Sequence, residues 1–389
     1  MQGLYGPFTI AERVIQKIWL RGDFARDRAT LLDGRELVIR SPGTWNLLGG
    51  PDFLGARLVL DGRAVTGDVE VHFHATDWRA HGHAADRAYD RVGLHVVLFP
   101  PASFELAAVG ADGREIPTLV LLPLLHRDLE EHASDDALEV MTERDEWERF
   151  AELAAAPLAE RLRLVREHAA GRWEQKQRFA RLRIEKLGWR AACHQTALEI
   201  LGYRQNRAAM LFIAARYPLE AWTDGAEPEL VFEAGRGYWQ LQGVRPANHP
   251  LQRLRQYQRW TREHPDWPDR LLRLAGSFGR PPANGAPARP RAGLKERRAA
   301  TAQNLTGGAV TGSRFDNLVC DGFLPLVAAQ ADLELFDTWF HWYLGDVPAP
   351  VRKALVQLGL AGPRAEPLSH GGAQGLLGWI LARDAGASP

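Results

Sequence analysis

Apolar positions at 10, 14, 15, 18 and 19 recur at helical spacing, so Ile10–Leu20 is predicted to be a helix with one buried face. Thr9 stands before it and Glu12 three places later, the spacing of a capping box. The same Glu12 carboxyl is also placed to face the acidic residues described below. The period then shortens to two. Glu36–Arg40 reads as a short strand ended by Ser41-Pro42-Gly43. Ala56–Leu60 reads as a second strand, Asp61-Gly62 as a hairpin turn, and Ala64–Val65 with Asp68–Phe73 as the returning strand. Ala84–Val92 reads as a helix and Gly93–Phe99, almost wholly apolar, as a strand covered on both faces. Thr118–Leu122 adds one more strand.

From about Met141 the pattern becomes helical throughout. Helices are predicted over Met141–Ala170, Trp173–Leu187, His194–Leu201, Ala208–Ala215 and Leu251–Thr261. Further helices are predicted near Phe323–Ala329, Leu335–Tyr343 and Val351–Leu360. Between the two helical groups, Ser277–Gly312 is dense in Pro, Gly and Ala and carries six Lys/Arg against the single acid Glu296. The expected fold class is therefore α/β, an α+β core in the order helix–strand–strand–strand–helix–strand, followed by a mainly α-helical C-terminal region. The corresponding division is 1–140 (α/β domain), 141–276 (helical domain), 277–312 (basic linker or disordered loop) and 313–389 (a C-terminal helical segment packing on the helical domain).

The chemistry concentrates in the strands. Gly50-Pro51-Asp52 puts an acid at a turn before one strand, and Gly67-Asp68-Val69-Glu70-Val71-His72 puts more donors inside the next. Side chains alternate in a strand, so Asp68, Glu70, His72 and His74 share one face while Val69, Val71 and Phe73 share the other. A solvated outer face produces the same alternation. Yet no Lys, Thr or Ser is mixed in: this face holds two acids and two histidines. Five of the thirteen histidines lie between 72 and 95. His95 reads as a core histidine with a satisfied ring nitrogen. His81 and His83 flank Gly82 in a loop and read equally as exposed residues or as ligands. Two carboxylates from neighbouring strands beside an imidazole suit a divalent cation and a water to be deprotonated.

Composition narrows the classes. With 389 residues, 46% hydrophobic and 25% charged, the chain is globular and long enough for two domains. Lys plus Arg (48) equals Asp plus Glu (48), a balance that argues mildly against a nucleic-acid binder while leaving room for a local basic groove or for a substrate delivered by a partner protein. Cys193 and Cys320 alone exclude a cysteine-built zinc site or disulfide framework and fit a reducing cytoplasm. No apolar run reaches membrane-spanning length, and no signal-peptide pattern opens the chain. Walker-type phosphate loops, GxSxG and HExxH are absent from the sequence.

Two resemblances add to this reading. The run Gly50-Pro51-Asp52-Phe53, Gly67–His72, Asp77-Trp78, His81-Gly82-His83, Asp86, Tyr89 and Leu94–Val97 resembles a bacterial family catalogued as a domain of unknown function. Leu201–Asn206 and Asn317–Pro325 are similar to it too. Pro51-Asp52 followed by Glu70-Val71-His72 resembles the signature of the PD-(D/E)XK nuclease superfamily, and the element order is similar to that superfamily's core. This second resemblance implies phosphodiester hydrolysis of DNA or RNA. Asp52 and Glu70 would hold Mg²⁺ or Mn²⁺, Glu12 would be the added acid from the first helix, and His72 stands where that superfamily usually has lysine. A nuclease fold that binds nucleic acid or acts as a scaffold without cleaving is the alternative. A further one is a zinc hydrolase with Zn²⁺ on His72, His74, His81 and His83 and with Asp52 or Glu70 as base; Asp68 is one more potential metal ligand on the same strand face. Arg204, Arg207, Lys295, Arg297 and Arg298 are the candidate nucleic-acid contacts.

Overall fold

The computed structural model describes residues 10–47, 49–101, 108–126, 129–143, 150–203, 205–241, 244–278, 293–362 and 367–386. These fall into two compact units, residues 10–133 and 134–389.

In the first unit, helix α1 (Glu12–Arg21) buries Val14, Ile15, Ile18 and Trp19, the face its spacing dictates, and ends at Gly22 with φ +60°. Its start differs from expectation. Ala11 occupies the N-cap position without a side-chain cap, and Glu12 is the first helical residue. Thr9, the other half of the expected capping box, lies outside the described residues.

Strands β1 (Leu37–Ser41), β2 (Thr44–Trp45), β3 (Phe53–Leu60), β4 (Arg63–His72), β5 (Val92–Val97) and, further along, β8 (Thr118–Val120) make one mixed sheet in the order β1-β3-β4-β5-β8, with β2 on β3. The short strands β6 (Ala108–Val109) and β7 (Glu115–Ile116) pair separately. β1–β3–β4 run antiparallel, whereas β4–β5 and β5–β8 are parallel. The β3–β4 turn is Asp61-Gly62, both at positive φ (49° and 80°), the backbone that a two-residue hairpin loop of this hand requires. β4 from Gly67 to His72 and β5 from Val92 to Val97 are buried on both faces, so Val69, Val71, Val92, Leu94 and Val96 are core.

Gly67 sets the spacing of these two strands. A Cβ there would lie 3.0 Å from Arg91 O and 3.2 Å from the Gly93 Cα and N, all backbone atoms that cannot turn aside. Gly67→Ala is expected to destabilise the unit by about 1–3 kcal/mol, read as a lower urea midpoint at unchanged slope; an unshifted midpoint would refute the constraint.

The predicted helix over 84–92 is replaced by helix α2 (Asp77–Ala80) and two 3₁₀ turns, His83–Ala85 and Arg87–Tyr89. Gly82 at φ +74° turns the chain, and Asp86, extended, accepts from the Ala88 N–H, so no helix can run through.

The second unit is helical: α3 (Leu129–Glu143) leads into it, followed by α4 (Ala151–Ala155), α5 (Leu158–Leu187), α6 (Trp189–Leu201), α7 (Arg207–Arg216) and further helices to 386. The two predicted helices over 141–187 are in part the single α5, started after Pro157 and stopped at Gly188. Its core collects Trp222, Trp260, Trp267, Trp339 and Trp342. Within the expected linker, Leu294–Thr306 is a helix, because the run LKERRAATAQNLT is built from helix formers; 279–292, with Arg280, Arg289 and Arg291, lies outside the described residues. No helix among the described residues is long and apolar enough to cross a membrane.

Candidate functional site

Asp52 stands just before β3, Glu70 and His72 near the end of β4, and Glu12 opens α1. Backbone amides lock the two strand acids to each other. The Asp52 N–H donates to Glu70 Oε2 (3.0 Å), and the Val71 N–H donates to Asp52 Oδ2 (3.0 Å). Gln16, one helical turn after Glu12, donates through Nε2 to Asp52 Oδ1 (2.8 Å). Sequence reasoning overlooked this residue, although its i+4 spacing from Glu12 puts both on the same helix face.

All three carboxyls are raised above the ordinary carboxylate range. Burial pushes Glu12 up to about 7, with Asp52 and Asp77 adding to it. Burial raises Asp52 to about 6 against the two hydrogen bonds from Val71 and Gln16. Glu70 reaches about 8 through burial first and then the charges of Asp52 and Glu12. Among the described residues, no lysine or arginine offsets these three.

On the other side of Glu70 lies a nest of imidazoles. Glu70 is 5% exposed and His72 1%. Glu70 Oε1 lies 3.3 Å from both His72 Nε2 and His83 Nε2. His72 Nε2 is 3.2 Å from His81 Nδ1 and 3.3 Å from His83 Nε2. Behind it, His72 Nδ1 is 2.9 Å from His95 Nε2. Register explains this last contact: His95 pairs with Glu70 across the parallel β4–β5 ladder, one pleat from His72. Tyr89 stacks on the His83 ring at 3.9 Å, and Trp78, whose indole N–H donates to Val109 O, packs edge-on to it at 5.2 Å. Burial holds His72 down to about 4 and His95 to about 3, and lowers His83, with neighbouring imidazoles reinforcing each shift. All three are neutral at physiological pH, and neutral imidazole nitrogens can bind a metal. His72, His81 and His83 form a group with metal-ligand spacing, of which His81 is exposed and the other two are buried.

Other expectations land elsewhere. Asp68 shares its strand face with Glu70, yet its Oδ1 accepts from the Gly55 N–H (2.8 Å) at the β3 irregularity between Phe53 and Ala56, where Gly55 has φ +66°. It braces the bulge and is not in the imidazole group. His74 follows the end of β4, is exposed, and stacks on Phe99 at 5.0 Å. His95 is core as expected, but it touches His72, which the sequence did not suggest. The candidate nucleic-acid contacts belong to the second unit. Arg298 is tied to Asp316 (2.7 Å) and Arg297 donates to Phe278 O (3.1 Å), while Lys295 is exposed, Arg207 opens α7, and Arg204 lies outside the described residues.

The family model described as "Protein of unknown function (DUF2851)" matches residues 12–235. The chain belongs to that family, and the matched span takes in every donor of the site. No curated protein and no solved structure matches the chain.

Proposed function

We propose that this member of the DUF2851 family hydrolyses phosphodiester bonds of DNA or RNA, with Mg²⁺ or Mn²⁺ held by Glu12, Asp52 and Glu70. One observation carries the reading: three carboxyls from three separate elements come together, partly or wholly buried, each raised above the usual carboxylate range and, among the described residues, none neutralised by a basic side chain. Burying uncompensated carboxylates is costly, and a dication with oxygen-loving coordination removes the cost. Such an ion supplies Lewis-acid polarisation of a phosphoryl oxygen and a more acidic bound water.

The residues do the rest. Gln16 and the Val71 N–H hold Asp52 in one orientation, and the Asp52 N–H does the same for Glu70. His72, neutral and beside Glu70, puts an uncharged imidazole where a lysine would be a fixed cation. The phosphodiester class rests on the PD…E-x-H order across a mixed sheet entered by an acid-bearing helix, similar to the PD-(D/E)XK arrangement. Both cysteines are free and buried, in keeping with action in a reducing cytoplasm.

The test is cleavage of single- and double-stranded DNA and RNA with Mg²⁺, Mn²⁺ or Zn²⁺, beside the Asp52→Ala/Glu70→Ala double variant. Metal-dependent cleavage that vanishes in the variant is the expected result. Binding of nucleic acid without cleavage by the parent protein would replace this reading with a non-catalytic one.

A further inference from the structure

We propose that His72 Nε2, His81 Nδ1, His83 Nε2 and Glu70 Oε1 form a tetrahedral site for a zinc-class transition-metal ion, distinct from the carboxylate donors of Asp52 and Glu12. Glu70 is common to both sites, but this one stands whether or not the protein cleaves phosphodiesters.

The first argument is metric. Bonds of about 2.0–2.1 Å at tetrahedral angles place ligand atoms about 3.3 Å apart. Four of the six edges among these atoms are 3.2, 3.3, 3.3 and 3.3 Å. The three nitrogens all lie within 4.8 Å of one another.

The second argument concerns protons. Once Glu70 has lost its proton, as a metal ligand must, His72 Nε2, His83 Nε2 and Glu70 Oε1 make a triangle of 3.3 Å edges. Hydrogen bonds need a donor facing an acceptor, and a triangle cannot alternate the two. With Glu70 accepting from both rings, two N–H groups face each other; with either ring reversed, two lone pairs do. A central cation turns all of these atoms into acceptors and removes the conflict.

The surroundings are those of a supported metal ligand. His95 Nε2 lies 2.9 Å from His72 Nδ1, so His72 donating through Nδ1–H leaves its Nε2 lone pair for the ion. Tyr89 and Trp78 fix the His83 ring. Gly82 in the left-handed region lets His81 and His83, two residues apart, turn towards the same point. His81 alone is exposed, giving the ion a route in. Imidazole-rich donors select zinc over magnesium, which prefers oxygen and retains its water.

The full-length protein, purified without chelator, is expected to retain one zinc per chain through gel filtration, measured by elemental analysis. Co²⁺ substitution is expected to give the intense visible absorption of a tetrahedral site. His81→Ala, at an exposed turn, should keep its circular dichroism and lose the zinc. His95→Ala should weaken binding about 10–100-fold, and Asp52→Asn should leave zinc in place. Zinc retained equally by His81→Ala, or no zinc and no cobalt spectrum in the parent, overturns the proposal. Bound zinc without any cleavage keeps this site and removes the hydrolytic reading; cleavage by a protein that binds no zinc does the reverse.

Discussion

Glu70→Gln is expected to lose metal-dependent cleavage by about a thousandfold or more and, metal-free at pH 9, to melt at a higher temperature than the parent. Both effects come from the same placement. Glu70 Oε2 is tied to the Asp52 amide, and Oε1 faces His72 and His83, so this carboxylate sits between the oxygen donors and the imidazoles. Glutamine keeps the shape and an oxygen for the Asp52 N–H but brings no charge for a cation. The stability effect follows from sign. The folded pKa is raised to about 8, above the ordinary 4.5, so the folded state holds its proton more tightly than the unfolded chain does. Ionisation at pH 9 therefore weakens the fold, and an uncharged isostere escapes that penalty. Asp52→Asn should behave alike with a smaller thermal gain, its pKa being raised only to about 6. Cleavage assays and chelated melting curves read both quantities, and full activity in Glu70→Gln would remove Glu70 from the site.

The strand pairing and the two central acids were legible in the sequence because they depend on rules with short range. Period-two alternation, the Asp61-Gly62 turn and the apolar β5 place Asp52 and Glu70 side by side with no tertiary knowledge. What parity cannot see is where a strand bends or stops. Asp68 has the parity of Glu70 but is drawn to the bulge at Gly55, and His74 has the parity of His72 but follows the last β4 residue. The histidine enrichment was visible, its convergence was not, because Gly82 and the 3₁₀ turns that aim His81 and His83 break the helical pattern expected there. The basic run Lys295–Arg298 does not reveal its own partners, which depend on what the helix at 294–306 brings beside it: Arg298 pairs with Asp316.

The pH profile of the metal-free protein is the second large effect. Glu12, Asp52 and Glu70, raised to about 7, 6 and 8, contribute stability that is fully present below their unfolded values near 4 and is lost as pH rises through 6 to 8. His72 and His95 have the opposite sign. Lowered to about 4 and 3, they contribute stability that is present above 6.5 and lost as pH falls through 4 and then 3. The two sets oppose each other below pH 6.5, so the clean window lies from 6.5 to 9, where only the carboxyls act. Chelated protein should melt at steadily lower temperature across that window. Mn²⁺ at a hundred times its dissociation constant should add about 2.7 kcal/mol, or about 5–10 °C. Its affinity should itself rise with pH, because each ligand must first lose its proton. A melting temperature that is flat from pH 6.5 to 9 without metal, or unmoved by metal at pH 8, would mean that burial does not hold these carboxyls protonated, and the cation site would fall with them.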